Sequence, residues 1–121
     1  MVLLLTACSG NPSTDLSVTM TSAHFFEPGE ISVPAGTKIT FTNEDDEPHS
    51  VTAYEASIPA AATYFSSGDL SSEDEARANV GDSLINKGET YEVTLDEPGT
   101  YEYFCIPHED HGMKGRIAVE E

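Results

Sequence analysis

Tryptophan is absent from this 121-residue chain, and lysine and arginine together number only five against 22 aspartates and glutamates, a net charge of −17. A surface so short of basic groups repels phosphate backbones, which excludes nucleic acid as a partner. A protein partner should be basic where the two meet, and the same excess of carboxylates keeps a chain hydrated in strong salt. The apolar run from Val2 to Ala7 is far shorter than the roughly 20 residues a bilayer-spanning helix needs. Cysteine occurs twice, at Cys8 and Cys105, too sparsely for a disulfide scaffold. No repeat and no second domain is visible, and the length suffices for one domain with its own core.

The two cysteines have different settings. Cys8 ends the sequence Leu5-Thr6-Ala7-Cys8, which resembles the cleavage box of a lipoprotein signal, although the basic residues that normally precede one are missing. The expectation is a lipid on Cys8, two acyl chains giving lasting attachment to a membrane. Residues 1–15 then form a signal remnant, lipidation site and polar tether, and residues 16–121 the folded domain. An anchor of this kind places the domain outside the cytoplasm, on the outer face of the cell membrane. Cys105 is left without a partner, and metal ligation explains an unpaired thiol on an exported protein.

Period-2 alternation runs through the domain: Leu16, Val18 and Met20; Ile39 and Phe41; Tyr91, Val93 and Leu95; Ile117 and Val119. Gly and Pro punctuate these runs in "GEISVPAG" and "EPGTY". Short strands at this spacing predict an all-β, antiparallel sandwich. Residues 55–88 break the alternation and read as a long excursion between strands. Within it, Ser72 followed by Glu75 is a capping-box pattern that predicts one short helix over Glu73 to Asn79. A loop of that length is unusual unless part of it packs.

Chemistry concentrates in "YEYFCIPHEDHGMKG", residues 101–115. Alternation puts Tyr101, Tyr103 and Cys105 on the interior side of a strand and Phe104 on the other. His108 and Met113 follow in a tight loop, and Gly115 lets the chain turn back into a strand. His49 in "EDDEPHSV" offers a fourth donor. Two imidazoles, a thiolate and a thioether suit copper, whose reduced form is soft and whose oxidised form accepts imidazole. Zinc sites favour four Cys/His ligands or an open position for water.

The order Cys-x2-His-x4-Met after "GTYEYF", with "VPAGTKITFTN" and "PHSV" upstream, resembles the small blue copper proteins, the cupredoxins, of the plastocyanin and halocyanin type, over residues 16–120. The resemblance implies a Greek-key sandwich in which His49, Cys105, His108 and Met113 bind one copper ion cycling between Cu(I) and Cu(II). It implies a monomeric one-electron carrier, not an enzyme, serving redox partner proteins through the edge of His108. Copper storage or delivery is the alternative. Ser50 falls where a relative's polar side chain steadies the cysteine loop, though a strand serine needs no such role. Asn43 either ties down the His49 loop or serves only as a turn residue. Phe104 stands where plastocyanins carry tyrosine, His111 replaces a small or apolar residue, and the 55–88 segment is longer than in compact relatives. His111 reads as a solvent-facing imidazole and His24 as a strand-end residue. The acids at 44–47 and Glu109–Asp110 flank two ligands, where they should attract a basic partner and favour Cu(II).

Overall fold

The computed structural model describes residues 15–121. Cys8 and its tether lie outside the described residues. Among the described residues, eight strands form two four-stranded sheets. The first has the order β2 (Phe26–Glu27), β1 (Asp15–Met20), β4 (Thr37–Asn43), β6 (Thr90–Leu95). The second has the order β3 (Glu30–Pro34), β8 (Lys114–Glu120), β7 (Gly99–Phe104), β5 (Thr52–Ala53). The sandwich expected from alternation is present, with a difference in strand direction: both sheets are mixed. β1 pairs in parallel with β4, and β3 in parallel with β8. The cause is connectivity. After β2 the chain crosses to the second sheet for β3, then returns through Ala35–Gly36 to lay β4 beside β1, so the parallel neighbours are not consecutive in sequence.

The alternation seen in the sequence becomes burial. Val18, Met20, Ile39, Phe41, Leu95, Ile117 and Val119 point between the sheets and are buried. Each such side chain contributes about 1.5–3 kcal/mol by leaving water. Phe26, Phe41 and Tyr103 meet edge-to-face at the centre, with centroids 4.7–6.2 Å apart.

The excursion packs back onto the sandwich twice. Ser66 bridges Thr52, and Ile85 bridges His49. Its helix, α1 (Glu73–Ala78), starts as expected with Ser72 Oγ accepting from the Glu75 amide at 3.0 Å. The return arm of the capping box goes elsewhere: the Glu75 carboxylate accepts from the backbone and hydroxyl of Ser71. One further turn, α2 (Val80–Ser83), follows directly. Phe104 does face away from the interior, yet it is fully buried, because the Tyr54 ring stacks on it at 4.2 Å and the Arg77 guanidinium of α1 lies over it at 4.4 Å.

Candidate metal centre

Two connections deliver the donors. The first follows β4, where buried Asn43 works as a brace: its amide donates to the carbonyls of Glu47 (2.9 Å) and Ile85 (2.8 Å), and its Oδ1 accepts from the Asp45 amide (2.8 Å). Paired backbone bonds between His49 and Ile85 (3.1 and 2.7 Å) fix the residue that follows this turn. The second connection is a 3₁₀ turn, Ile106–His111, between β7 and β8. Pro107 suits its start, where no N–H partner is needed. Gly112 ends it at φ +78°, a conformation glycine adopts without steric cost. The Cys105 amide donates to the Met113 carbonyl at 3.0 Å, and the Met113 amide to that of His108 at 3.3 Å.

These turns bring three of the four predicted donors to one point. Cys105 Sγ lies 3.6 Å from His49 Nδ1 and 3.4 Å from His108 Nδ1, and the three ligand atoms fall within 4.8 Å of one another. His49 and Cys105 are fully buried, while His108 retains 8% of its exposure. Met113 is buried and tied by its backbone to Cys105 and His108. Ser50 serves the cysteine loop twice: its amide donates to Cys105 Sγ at 3.3 Å, and its hydroxyl accepts from the Ile106 amide at 2.8 Å.

Both imidazoles turn Nδ1 inward and engage a carboxylate with Nε2. His49 Nε2 is 2.9 Å from Asp45 Oδ2, and His108 Nε2 is 3.0 Å from Glu47 Oε1. A carboxylate on the distal nitrogen fixes the tautomer and raises the basicity of the inward one. The hydrogen bond from His49 holds the Asp45 carboxyl below its usual range. Burial pushes the Cys105 thiol up, and burial with the neighbouring His49 and His24 pushes His108 down. Metal binding needs a thiolate and unprotonated imidazoles, so the lowered proton affinity of His108 favours it, while the Cys105 thiol must give up its proton as the ion binds. One buried sulfur and two nitrogens at this spacing fit a thiophilic, imidazole-accepting ion such as copper.

Sequence reasoning missed the roles of His24, Asp45, Glu47, Tyr54 and Arg77. His24 is not a strand end: it sits at φ +64° between β1 and β2, and its ring stacks on His108 with centroids 4.2 Å apart and planes 17° apart. His111 stacks on His24 in turn, at 4.9 Å. No spacing rule links residue 24 to residue 108, so only the folded chain reveals this stack. Asp45 and Glu47 were visible as acids, but not as hydrogen-bond partners of particular nitrogens.

A two-sheet sandwich that gathers a thiol and two imidazoles at one end of its strands is built on the plan of the cupredoxins, the small single-copper electron carriers. Comparison with known proteins narrows this: the chain belongs to the plastocyanin/azurin family of copper-binding proteins, whose model matches residues 14–120. It is 44% identical over 94 residues to plastocyanin B'/B'' of Nicotiana tabacum, covering 78% of this chain and 86% of the relative. Plastocyanin of Sambucus nigra is 42% identical over 96 residues, with the same coverage. Among solved structures, a mutant fern plastocyanin superposes with a TM-score of 0.62 at 29% identity, covering 86% of this chain and 99% of the other. Pseudoazurin from Methylobacterium extorquens AM1 shares the fold, with a TM-score of 0.67 at 21% identity over 88% of this chain and 76% of that one. The cofactor is accordingly one copper ion.

Proposed function

We propose that this chain carries single electrons between redox proteins, with His49, Cys105, His108 and Met113 holding the copper, from a position on the outer face of a membrane. The observation that carries the reading is the convergence of Cys105 Sγ with both Nδ1 atoms in a buried pocket. When bound, copper supplies the couple between Cu(I) and Cu(II).

The residues supply everything else. The side-chain bonds of Asn43 and the backbone bonds of Ile85 and Met113 hold the donors in one arrangement, so little needs to move when the charge at their centre changes by one. Ser50 N–H bonds the sulfur and spreads its negative charge. His108, the least buried of the three converging donors, is the edge through which electrons pass. Glu47, exposed and bonded to His108 Nε2, puts a carboxylate at that edge, and Glu44 and Asp46 in the same turn are exposed too, which favours a basic partner. Full burial of sulfur and of His49 disfavours storage or delivery, which needs exchangeable donors.

Attachment through a lipid on Cys8 is supported by the Leu5-Thr6-Ala7-Cys8 sequence. Labelled fatty acid should enter the wild-type protein in cells and be lost in Cys8→Ser; label retained in the variant would remove the anchor from this account.

Titration of the protein with Cu(II) tests the carrier role. The result expected is an intense visible band that bleaches with ascorbate, returns on reoxidation and is abolished by Cys105→Ser. A colourless, rapidly exchanging complex would replace the carrier with copper handling, and an unchanged band in the variant would remove Cys105 from the ligand set.

A further inference from the structure

The excursion touches the metal loop through one cation. Arg77 projects from α1, and its guanidinium donates in a fork to Glu109, Nη1 to Oε1 at 2.9 Å and Nη2 to Oε2 at 3.3 Å. Its Nε donates to Glu73 Oε2 at 2.9 Å, which fixes the side chain along its own helix. The same guanidinium lies over the Phe104 ring, 4.4 Å from the centroid. Tyr54 completes the cluster: its hydroxyl donates to Glu109 Oε2 at 2.7 Å while its ring stacks on Phe104.

Glu109 immediately follows His108, and Phe104 immediately precedes Cys105. Arg77 therefore grips the segment carrying both ligands at its two ends, while Ser50 holds the middle through the Ile106 amide. The forked pair restricts direction as well as distance, and lysine cannot reproduce it. Arg77 is one of only five basic residues in a chain with 22 acids, and it is engaged by two carboxylates and an aromatic face at once.

We propose that Arg77, acting through Glu109 and Phe104, is a positioning residue for the copper loop, presented to it by the helix of the 55–88 excursion. The proposal rests on copper ligation by Cys105 and His108. Its effect is on how firmly the loop keeps its shape when copper changes oxidation state or departs, because a loop released at both ends can open around His108, the ligand nearest solvent.

The test uses the copper-loaded full chain, with Arg77→Met, Arg77→Lys, Glu109→Gln and the Arg77→Met/Glu109→Gln double variant. Copper release to a Cu(I) chelator and electron self-exchange, by NMR line broadening, are measured beside the visible spectrum and the reduction potential. Outer partners of metal ligands typically alter affinity 10–100-fold. Arg77→Met is expected to release copper about tenfold faster and to slow self-exchange, with a displaced visible band. Arg77→Lys should not restore wild-type behaviour, and the double variant should lose little beyond either single one. Unaltered release, self-exchange and spectrum in Arg77→Met, or full rescue by lysine, would overturn the proposal, as would additive losses in the double variant. Failure of the wild type to take up copper with a visible band would instead sink the ligand assignment, so the two failures are distinguishable.

Discussion

Ser50→Ala separates the hydroxyl of one residue, which also lies 3.2 Å from Thr52 Oγ1, from its backbone amide. The hydroxyl accepts from the Ile106 amide at 2.8 Å, and the backbone amide donates to Cys105 Sγ at 3.3 Å. Alanine removes the hydroxyl's bonds to Ile106 and Thr52 and leaves the bond to sulfur. Ser50 is fully buried, so water does not readily replace the lost acceptor. A donor left without a partner costs about 1–3 kcal/mol; Ile106 is only partly buried, which favours the lower half of that range. For a domain of this size the corresponding fall in melting temperature is roughly 4–8 °C. The Cys105 bond survives, so the visible band of the copper-loaded variant should stay near its wild-type position. Thermal unfolding of the apo and copper-loaded forms, followed by circular dichroism and by the visible band, gives both readings. A melting temperature within about 1 °C of wild type would refute the anchoring role of the hydroxyl. A lost or strongly displaced band would show that the backbone bond alone does not keep the sulfur in place.

Two further predictions concern charge. Asp45→Asn and Glu47→Gln each remove a carboxylate from the distal nitrogen of an inward-facing imidazole, which should raise the reduction potential; a tenfold change in the preference for Cu(II) over Cu(I) corresponds to about 59 mV for one electron, and a spectroelectrochemical titration showing no rise in either variant would count against the arrangement. The second is a loss of apo-protein stability in acid. His108 has a lowered affinity for protons in the fold, so the unfolded chain binds more of them below about pH 6.5 and stability falls as pH drops through that range. Asp45, lowered chiefly by His49, and Glu109, lowered chiefly by Arg77, act in the same direction: their contribution is present above the ordinary carboxylate range and is lost as pH falls through their depressed values. Urea midpoints of the apo protein should fall as pH drops from about 6.5 to 3 and should fall less in Glu109→Gln; an equal or steeper fall in the variant would contradict the sign.

What the sequence made legible was whatever leaves a local trace. The side-chain alternation of Val18–Met20, Ile39–Phe41 and Ile117–Val119 marks strands because its period is that of the pleat itself. The Ser72–Glu75 pattern marks a helix start because the cap spans three residues. Cys105, His108 and Met113 are legible for the same reason, since one short loop carries them all. Strand direction was not legible: alternation is identical in parallel and antiparallel pairs, so the β1–β4 and β3–β8 pairings leave no mark. Contacts across the sandwich are equally silent. His24 over His108, and Arg77 over Phe104, join residues 84 and 27 positions apart, and no periodicity links them.

β8 is last of the eight strands in order, yet it lies between β3 and β7 and not at a border of its sheet. Until residues 114–120 have been made, β3 and β7 have nothing to bridge them, and the carbonyl of Met113 is not yet held against the Cys105 amide. The thiol thus stays outside any finished pocket until β8 has paired with both neighbours, and closure of the site waits on the docking of that strand.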